Sequence, residues 1–325
     1  MPAGRVFVVM VVCLLLWTFL FAPTLKRAAE ASPGGIRRTA ALAFLAPFAA
    51  ISNALRITKL TDGVERALGR DPEEAPGGEI VLPPEPIPTV DPGDGGEVDT
   101  RGPIRKPTPT NKLRVVVIGD SLASGLGTYL ERVLKPSLAR VSRQGRISTG
   151  LARPDYFDWP AAMREIADRF RPDLVIVMLG ENDNQALRTP GGAMDTDIGT
   201  FDWPQTYERR VADFMRIATS KGARLVWVGL PVVRDTGRRD LVRRQNDLFE
   251  QATHEVKNVA FLDTWKLYST EDGGYTAYIH VNGNVVQIRE ADGIHFNSTG
   301  YELLARAAVQ LAIDEFRLAP KVVAG

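Results

Sequence analysis

Short apolar runs alternate with longer amphipathic stretches over the last two-thirds of the chain. Arg114–Ile118 reads RVVVI, Leu174–Leu179 reads LVIVML, Leu225–Leu230 reads LVWVGL and Val259–Leu262 reads VAFL. Unbroken, Val-rich runs of this length mark strands covered on both faces, as in a parallel sheet. A weaker run at Leu138–Ser142 predicts a fifth strand. Helical periodicity fills the intervals at Ser124–Leu134, Trp159–Phe170, Pro204–Lys221, Arg239–Val256 and Ser298–Phe316. The alternation predicts a three-layer α/β/α domain over residues 113–318, built on a central, mostly parallel five-stranded sheet. One segment breaks the rhythm. Tyr275–Val281 and Val285–Arg289 flank Val281-Asn282-Gly283-Asn284, the signal of a β-hairpin before the last helix.

The N-terminal third reads differently. Residues 6–22, VFVVMVVCLLLWTFLFA, form a run of 17 residues without a charge, closed by Pro23. At ~1.5 Å per residue a helix of this length spans ~26 Å, enough for the hydrocarbon core of a bilayer. Residues 1–35 therefore read as a membrane anchor or as a signal segment. The small-x-small site Ala29-Glu30-Ala31 lies past Lys26 and Arg27, which favours the uncleaved anchor. Arg5 on one side and Lys26 and Arg27 on the other barely decide orientation. In residues 36–70, the apolar stretch Ala40–Ile51 is interrupted by Pro47 and too short to span. Leu55, Leu60, Val64 and Leu68 then recur at helical intervals among Arg56, Lys59, Glu65 and Arg66. That pattern fits an amphipathic helix against a membrane or partner, and equally a stalk helix. Residues 71–112 hold ten Pro and six Gly and read as an extended linker. Residues 319–325 form a tail.

Composition narrows the function. Lys plus Arg number 40 and Asp plus Glu 39, a formal charge of +1, which argues against a nucleic-acid binder. The single cysteine, Cys13, excludes an intrachain disulfide, and three histidines (His254, His280, His295) leave little material for a zinc site. No metal or organic cofactor is called for.

In open α/β sheets, sites gather at the carboxyl ends of the strands. The first strong strand is followed by Gly119-Asp120-Ser121, and the next by Gly180-Glu181-Asn182-Asp183. Asp292-Gly293-Ile294-His295 stands before the last helix. A serine hydroxyl becomes a nucleophile when a base takes its proton, and a carboxylate holds that base in the useful tautomer. Ser121 supplies the hydroxyl, His295 the base and Asp292 the orienting carboxylate. The Ser121 N–H and the Asn182 side chain supply donors for a tetrahedral oxyanion. Each part alone is weak: Gly-Asp-Ser is a common turn, Asn often bonds its own loop, and a lone histidine is usually structural. The conjunction carries the argument. Trp159 reads either as a substrate wall or as core, His280 as a contact at the site mouth or an exposed strand residue, and Ser124 as part of a helix start.

These blocks resemble the SGNH (GDSL-type) hydrolase superfamily. IGDSLASG at residues 118–125 resembles its first block, LGENDNQ at 179–185 its third and DGIHFNSTG at 292–300 its fifth. The resemblance implies a flavodoxin-like SGNH fold, Ser121, Asp292 and His295 as the catalytic triad, and an oxyanion hole of Ser121, Gly150 and Asn182. Gly150 is taken from Ser148-Thr149-Gly150-Leu151, which stands where the second block belongs. Glu181, in a position that is often small or Thr in relatives, adds to the substrate wall. The α/β-hydrolase elbow does not fit, because its fifth position is Gly whereas Ala123 stands here, and its acid and base lie far apart.

Three readings follow. The first is a serine esterase acting on a small acyl ester, such as an O-acetylated envelope carbohydrate. The second is an O-acyltransferase passing the same acyl group to a saccharide. The third, a non-catalytic envelope scaffold, would not need all four residue types together. The membrane run and the resemblance together imply an extracytoplasmic catalytic domain tethered through residues 6–22, or secreted if that segment is cleaved, with a membrane-bound acyltransferase as an expected partner. Activity is expected to rise with pH as His295 loses its proton.

Overall fold

The computed structural model describes residues 5, 43–48, 50, 51 and 103–324, and the backbone of 77–80. The expected membrane run, residues 6–22, lies outside the described residues, as does most of the expected amphipathic helix. Among the described residues no helix is long and apolar enough to cross a membrane. Residues 43–48, 50 and 51 are helical, with the Phe44 and Phe48 rings 5.3 Å apart.

In chain order the named elements are β1 (Gly77–Ile80), β2 (Leu113–Gly119), α1 (Ser121–Val133), β3 (Ala139–Gly145), α2 (Trp159–Arg169), β4 (Leu174–Met178), β5 (Leu187–Arg188), β6 (Met194–Thr196), α3 (Trp203–Thr219) and β7 (Arg224–Val228). They continue with α4 (Thr236–Glu255), β8 (Val259–Leu262), α5 (Thr264–Leu267), β9 (Tyr278–Val281), β10 (Asn284–Gln287) and α6 (Ser298–Phe316).

The chain divides into two units. The smaller holds β1 and the hairpin β9–β10, a three-stranded sheet in the order β1-β9-β10. Asn282 and Gly283, at φ 49° and 75°, make the hairpin turn that the Asn-Gly pair predicts. β1 is a finding against expectation: a segment read as featureless linker pairs parallel with β9, Glu79 opposite His280 and Ile80 opposite Val281.

The larger unit carries the expected α/β architecture. Its five-stranded sheet has the order β3-β2-β4-β7-β8, parallel throughout. Every residue of β4 is buried, as are six of the seven in β2. These strands lose their apolar surface to two helical layers, α1 with α6 on one face and α2, α3 and α4 on the other. β3 at the sheet edge is only part-buried, which is why its sequence signal is weak. The helices begin where short polar side chains cap them. Asp120 accepts from Leu122 N, Asp158 from Ala161 N, Asp235 from Gly237 N and Asn297 from Gly300 N. α6 ends at Arg317, whose φ of 51° is the left-handed turn that closes helices.

The unit is longer at both ends than the apolar runs imply. Ile104 is buried, its N–H donates to Phe316 O at 2.8 Å, and Arg105 pairs with Asp173 at 2.7 Å. At the other end Val322 is buried and its carbonyl accepts from Lys135 N.

Candidate active site

The strand order reverses between β2 and β4: from β2 the chain turns to β3 at one edge, and from β4 to β7 toward the other. Loops leaving these two strands diverge and open a crevice at their carboxyl ends. Ser121 follows β2 and Asn182 follows β4, so topology alone brings the candidate nucleophile and the candidate oxyanion donor to neighbouring loops. Gly119 makes the approach close. It adopts φ +150°, and a Cβ there would stand 1.9 Å from Met178 O. Any side chain would push the nucleophile turn off β4.

Ser121 is the first residue of α1, and its N–H is among the first-turn donors that have no acceptor within the helix. His295 reaches it from the loop between β10 and α6. His295 Nε2 lies 2.8 Å from Ser121 Oγ, and His295 Nδ1 lies 2.7 Å from Asp292 Oδ2. Asp292 Oδ1 accepts from the N–H of Ile294 at 2.9 Å and of His295 at 3.0 Å. Burial works against ionisation of Asp292, but the Ile294 N–H, the His295 side chain and the His295 N–H outweigh it and hold the carboxyl below its usual range. The acid is thus an anion with both oxygens engaged, and one of them fixes the imidazole. With Asp292 accepting at Nδ1, Nε2 is the basic nitrogen that faces the serine. His295 and Asp292 remain partly open to solvent, with side chains 33% and 46% exposed.

The oxyanion side is built from two loops. Asn182 Nδ2 donates to Thr149 O at 3.2 Å, spending one hydrogen and leaving the other for a ligand. Thr149 is itself pinned. Its hydroxyl donates to Arg146 O at 2.6 Å and accepts from Trp159 Nε1 at 3.0 Å. Asp183 braces the next residues: Oδ2 accepts from Leu151 N at 2.9 Å and from Tyr207 Oη at 2.7 Å, and Oδ1 from Ala152 N at 2.8 Å. Gly150 lies directly against this carboxylate, where a Cβ would stand 1.9 Å from Asp183 Oδ1. The requirement for glycine there is a close approach, not a special φ.

Three of the four residues expected to act together, Ser121, His295 and Asp292, stand in one hydrogen-bonded line, and Asn182, from the loop after β4, holds the carbonyl of Thr149 beside Gly150. Trp159 corrects the substrate-wall expectation. It is 1% exposed, packed edge-on against Phe157 with ring centroids 4.7 Å apart, and its indole N–H supports Thr149. Large buried aromatics with one polar edge commonly satisfy that edge inside the core, so Trp159 offers a substrate nothing. Glu181 is buried and ion-paired to Arg238 at 2.7 Å. His280 lies on β9 in the smaller unit, opposite Val285. Ser124 donates its hydroxyl back to Asp120 O at 3.1 Å, the helix-start role.

The sequence gives no direct sign of Asp183, Thr149, Arg238 or Arg289. Arg289 is buried, donates to Ile294 O at 2.9 Å and to Val232 O, and lies 4.5 Å from the Phe296 ring. It therefore holds the loop that carries the base. For Asp183 the signal is its place beside Asn182. Thr149 meets Trp159 ten residues on and Arg238 meets Glu181 57 residues back, and nothing in the local motif marks Arg289.

No curated relative matches the sequence. Among solved structures, a GDSL-like lipase from Bacteroides thetaiotaomicron is 18% identical at a TM-score of 0.44, covering 65% of this chain and 92% of its own. A catalytic mutant of an acetylxylan esterase from Geobacillus stearothermophilus is 16% identical at a TM-score of 0.41, covering 62% and 94%. A Clostridium thermocellum family 3 carbohydrate esterase is 14% identical at 0.40, covering 63% and 98%. The model of the DUF459 family, described as a protein of unknown function, matches residues 114–311, and the chain belongs to that family.

Proposed function

We propose that this chain is a serine-dependent ester hydrolase of the SGNH type, acting on a small acyl ester of a polar alcohol such as an O-acetylated envelope carbohydrate. The observation that carries the reading is the line from Asp292 Oδ2 through His295 to Ser121 Oγ, with contacts of 2.7 and 2.8 Å. Ser121 Oγ attacks the ester carbonyl while its proton passes to His295 Nε2. The tetrahedral oxyanion is met by the Ser121 N–H, the Gly150 N–H and the remaining Asn182 amide hydrogen. On collapse, His295 returns the proton to the departing alkoxide, leaving acyl-Ser121 and a free alcohol. Water then repeats the sequence with His295 as base and releases the carboxylic acid. Asp292 stays ionised throughout and stabilises the imidazolium. The part-exposed catalytic pair and the nearby partly exposed Arg238 suit a hydrated polar alcohol.

A saccharide hydroxyl in place of water would make the same acyl-serine a transferase intermediate. The 17-residue apolar run at 6–22 supports tethering to a membrane with the catalytic domain outside the cytoplasm, near a membrane-bound acyl donor system. The test is hydrolysis of p-nitrophenyl acetate by the full chain against Ser121→Ala. The variant is expected to lose about a thousandfold or more in kcat/KM. Equal rates would remove the serine-enzyme reading. Mass spectrometry of an acetylated saccharide donor with an unacetylated acceptor separates the two fates: free acetate alone supports hydrolysis, and an acetylated acceptor supports transfer.

A further inference from the structure

The candidate oxyanion donor Asn182 sits inside a tight turn at the end of β4. Asp183 N donates to Gly180 O at 2.9 Å, closing a four-residue β-turn whose central residues are Glu181 and Asn182. Type I and type II turns differ by a flip of the central peptide, here the unit that joins the Glu181 carbonyl to the Asn182 N–H. The turn's own hydrogen bond leaves that peptide without a partner. The flipped form, type II, puts a positive φ on the third residue, and asparagine is one of the residues that tolerate it. Asn182 adopts no positive φ, so the turn here is not the flipped one.

The central peptide is held from outside the turn. Arg238, in the first turn of α4, donates Nη2 to the Glu181 carbonyl at 3.1 Å and to Glu181 Oε1 at 2.7 Å. The Glu181 side chain is 7% exposed, so the guanidinium is anchored by a buried carboxylate at the peptide that could flip. Gln245, two helical turns further along the same face of α4, donates Nε2 to Gly180 O at 2.9 Å. α4 thus grips two successive carbonyls ahead of Asn182. Beyond Asn182, Gln185 Nε2 donates to the Asn182 carbonyl at 2.6 Å, and Asn182 Nδ2 itself reaches Thr149 O at 3.2 Å. The Arg238 bond falls on the peptide whose rotation would swing the Asn182 side chain away from Thr149. We propose that Arg238 is the positioning residue of the oxyanion hole: by gripping the Glu181 carbonyl it locks the Gly180–Asp183 turn against the flip and keeps the free Asn182 amide hydrogen aimed at the oxyanion. It works through Asn182 and touches no reacting atom. Without it the turn samples both forms, and Asn182 meets the oxyanion in only a fraction of them. Ground-state binding does not need that donor, so the loss falls on kcat. The proposal rests on the serine-hydrolase reading of Ser121 and His295.

The test is kcat and KM for p-nitrophenyl acetate with the full chain, in a cycle of Arg238→Met and Asn182→Ala. Glu181→Gln is the parent of every member, so that removing the guanidinium leaves no unpaired buried charge. With Asn182 present, Arg238→Met should lower kcat about tenfold with KM unchanged, a part of the about 10²–10³ that an oxyanion donor contributes. With Asn182→Ala already made, the same change should cost no more than about twofold, since nothing remains to be aimed. Arg238→Lys, which keeps a charged donor, should recover most of the loss. An equal loss in both backgrounds, or none in either, overturns the proposal, and so does an Asn182→Ala chain with the kcat of its parent. If Arg238→Met does not fold in that parent, Glu181→Leu with Arg238→Met takes its place, an apolar pair of the kind that often replaces a buried ion pair without loss of stability. It is read against Asn182→Ala by the same outcomes. Failure of the hydrolase reading has a different signature, a Ser121→Ala rate equal to wild type.

Discussion

Gly150→Ala tests the oxyanion side of the site most directly. The added methyl would stand 1.9 Å from Asp183 Oδ1 and 2.5 Å from its Cγ, where ordinary contact begins at 3.4 Å. Either the loop or the carboxylate must retreat by 1.5 Å, the difference between 3.4 and 1.9 Å. Asp183 has nowhere to go without loss. Its bonds to Leu151 N, Ala152 N and Tyr207 Oη measure 2.9, 2.8 and 2.7 Å, and such a retreat carries them past hydrogen-bonding range. Each bond to a charged acceptor contributes about 1.5–3 kcal/mol. Partial relaxation leaves an expected stability loss of about 3–5 kcal/mol, the scale for breaking a buried charge's contacts. The Gly150 N–H moves with the loop, and losing one oxyanion donor costs about 10²–10³ in kcat. The measurements are kcat on p-nitrophenyl acetate and the urea midpoint of the full chain. A folded variant with kcat within about threefold of wild type would refute both the oxyanion role of Gly150 and the bracing role of Asp183, since the methyl cannot be accommodated with that loop in place.

Two further perturbations probe the supports. Burial, then the charges of Glu181 and Asp183, push the Asp120 carboxyl up to about 8, against the pull of the Leu122 N–H. The folded state therefore holds a proton that the unfolded chain releases near pH 4, and stability falls with rising pH across that window by up to about 1.4 kcal/mol per unit. Asp120→Asn keeps the cap on Leu122 and removes the ionisation, so its unfolding free energy relative to wild type should climb from pH 5 to pH 8; a difference constant with pH would contradict the assignment. Trp159→Phe deletes the donor to Thr149 and should lower kcat several-fold with KM unchanged, whereas a raised KM alone would point back to a substrate-binding Trp159.

Much of this was legible because a parallel sheet writes itself into sequence. β2, β4, β7 and β8 are apolar on both faces, so each appears as an unbroken run whose bounds the structure moves by at most two residues. α1 begins at Ser121, three residues before the expected start of its periodicity, and buries Leu122 and Ala123 in its first turn. β5 and β6, of two and three residues, are too short to show a period, and β1, GGEI, has a single apolar side chain. Ile104 was hidden by the prolines around it, although one buried isoleucine and the Arg105–Asp173 pair anchor that stretch to the sheet's lower end. In the site, Ser121, Asn182, Asp292 and His295 could be found because each stands at a strand end or in a short loop with its chemistry exposed in the local motif. Thr149, Asp183 and Arg238 act on partners 10 to 57 residues away, and only the fold brings those partners into view.

The buried ionisable groups explain how the Ser121 turn and the Asp292–His295 loop hold distances of 2.7 and 2.8 Å. Among the described residues, the carboxyl and basic side chains that are buried are Asp120, which burial keeps protonated at neutral pH, and Glu181, Asp183 and Arg289. Asp120 precedes the nucleophile, Glu181 and Asp183 flank the oxyanion donor, and Arg289 holds the carbonyl of Ile294, the residue before the base. Burying a charge is costly and on average adds little net stability, so a chain optimised for stability alone would not place all of them at one end of its sheet. What each gains is direction. Asp120 caps the helix that carries Ser121, and Asp183 aligns two successive N–H groups beside Gly150. Arg238 locks the end of β4 through Glu181. Burial pulls the Arg289 guanidinium down to about 10, which leaves it charged at neutral pH. It grips two carbonyls, of Ile294 and Val232, from between the rings of Phe296 and Tyr275. A carbonyl or N–H bonded to a fixed buried polar group cannot drift without leaving that group unpaired in an apolar surround, at a cost of about 1–3 kcal/mol, more where the group is charged. The cost of desolvation is thereby converted into stiffness around Ser121, Asn182 and His295, and that concentration of buried ionisable groups at one end of the sheet supports the proposed site there.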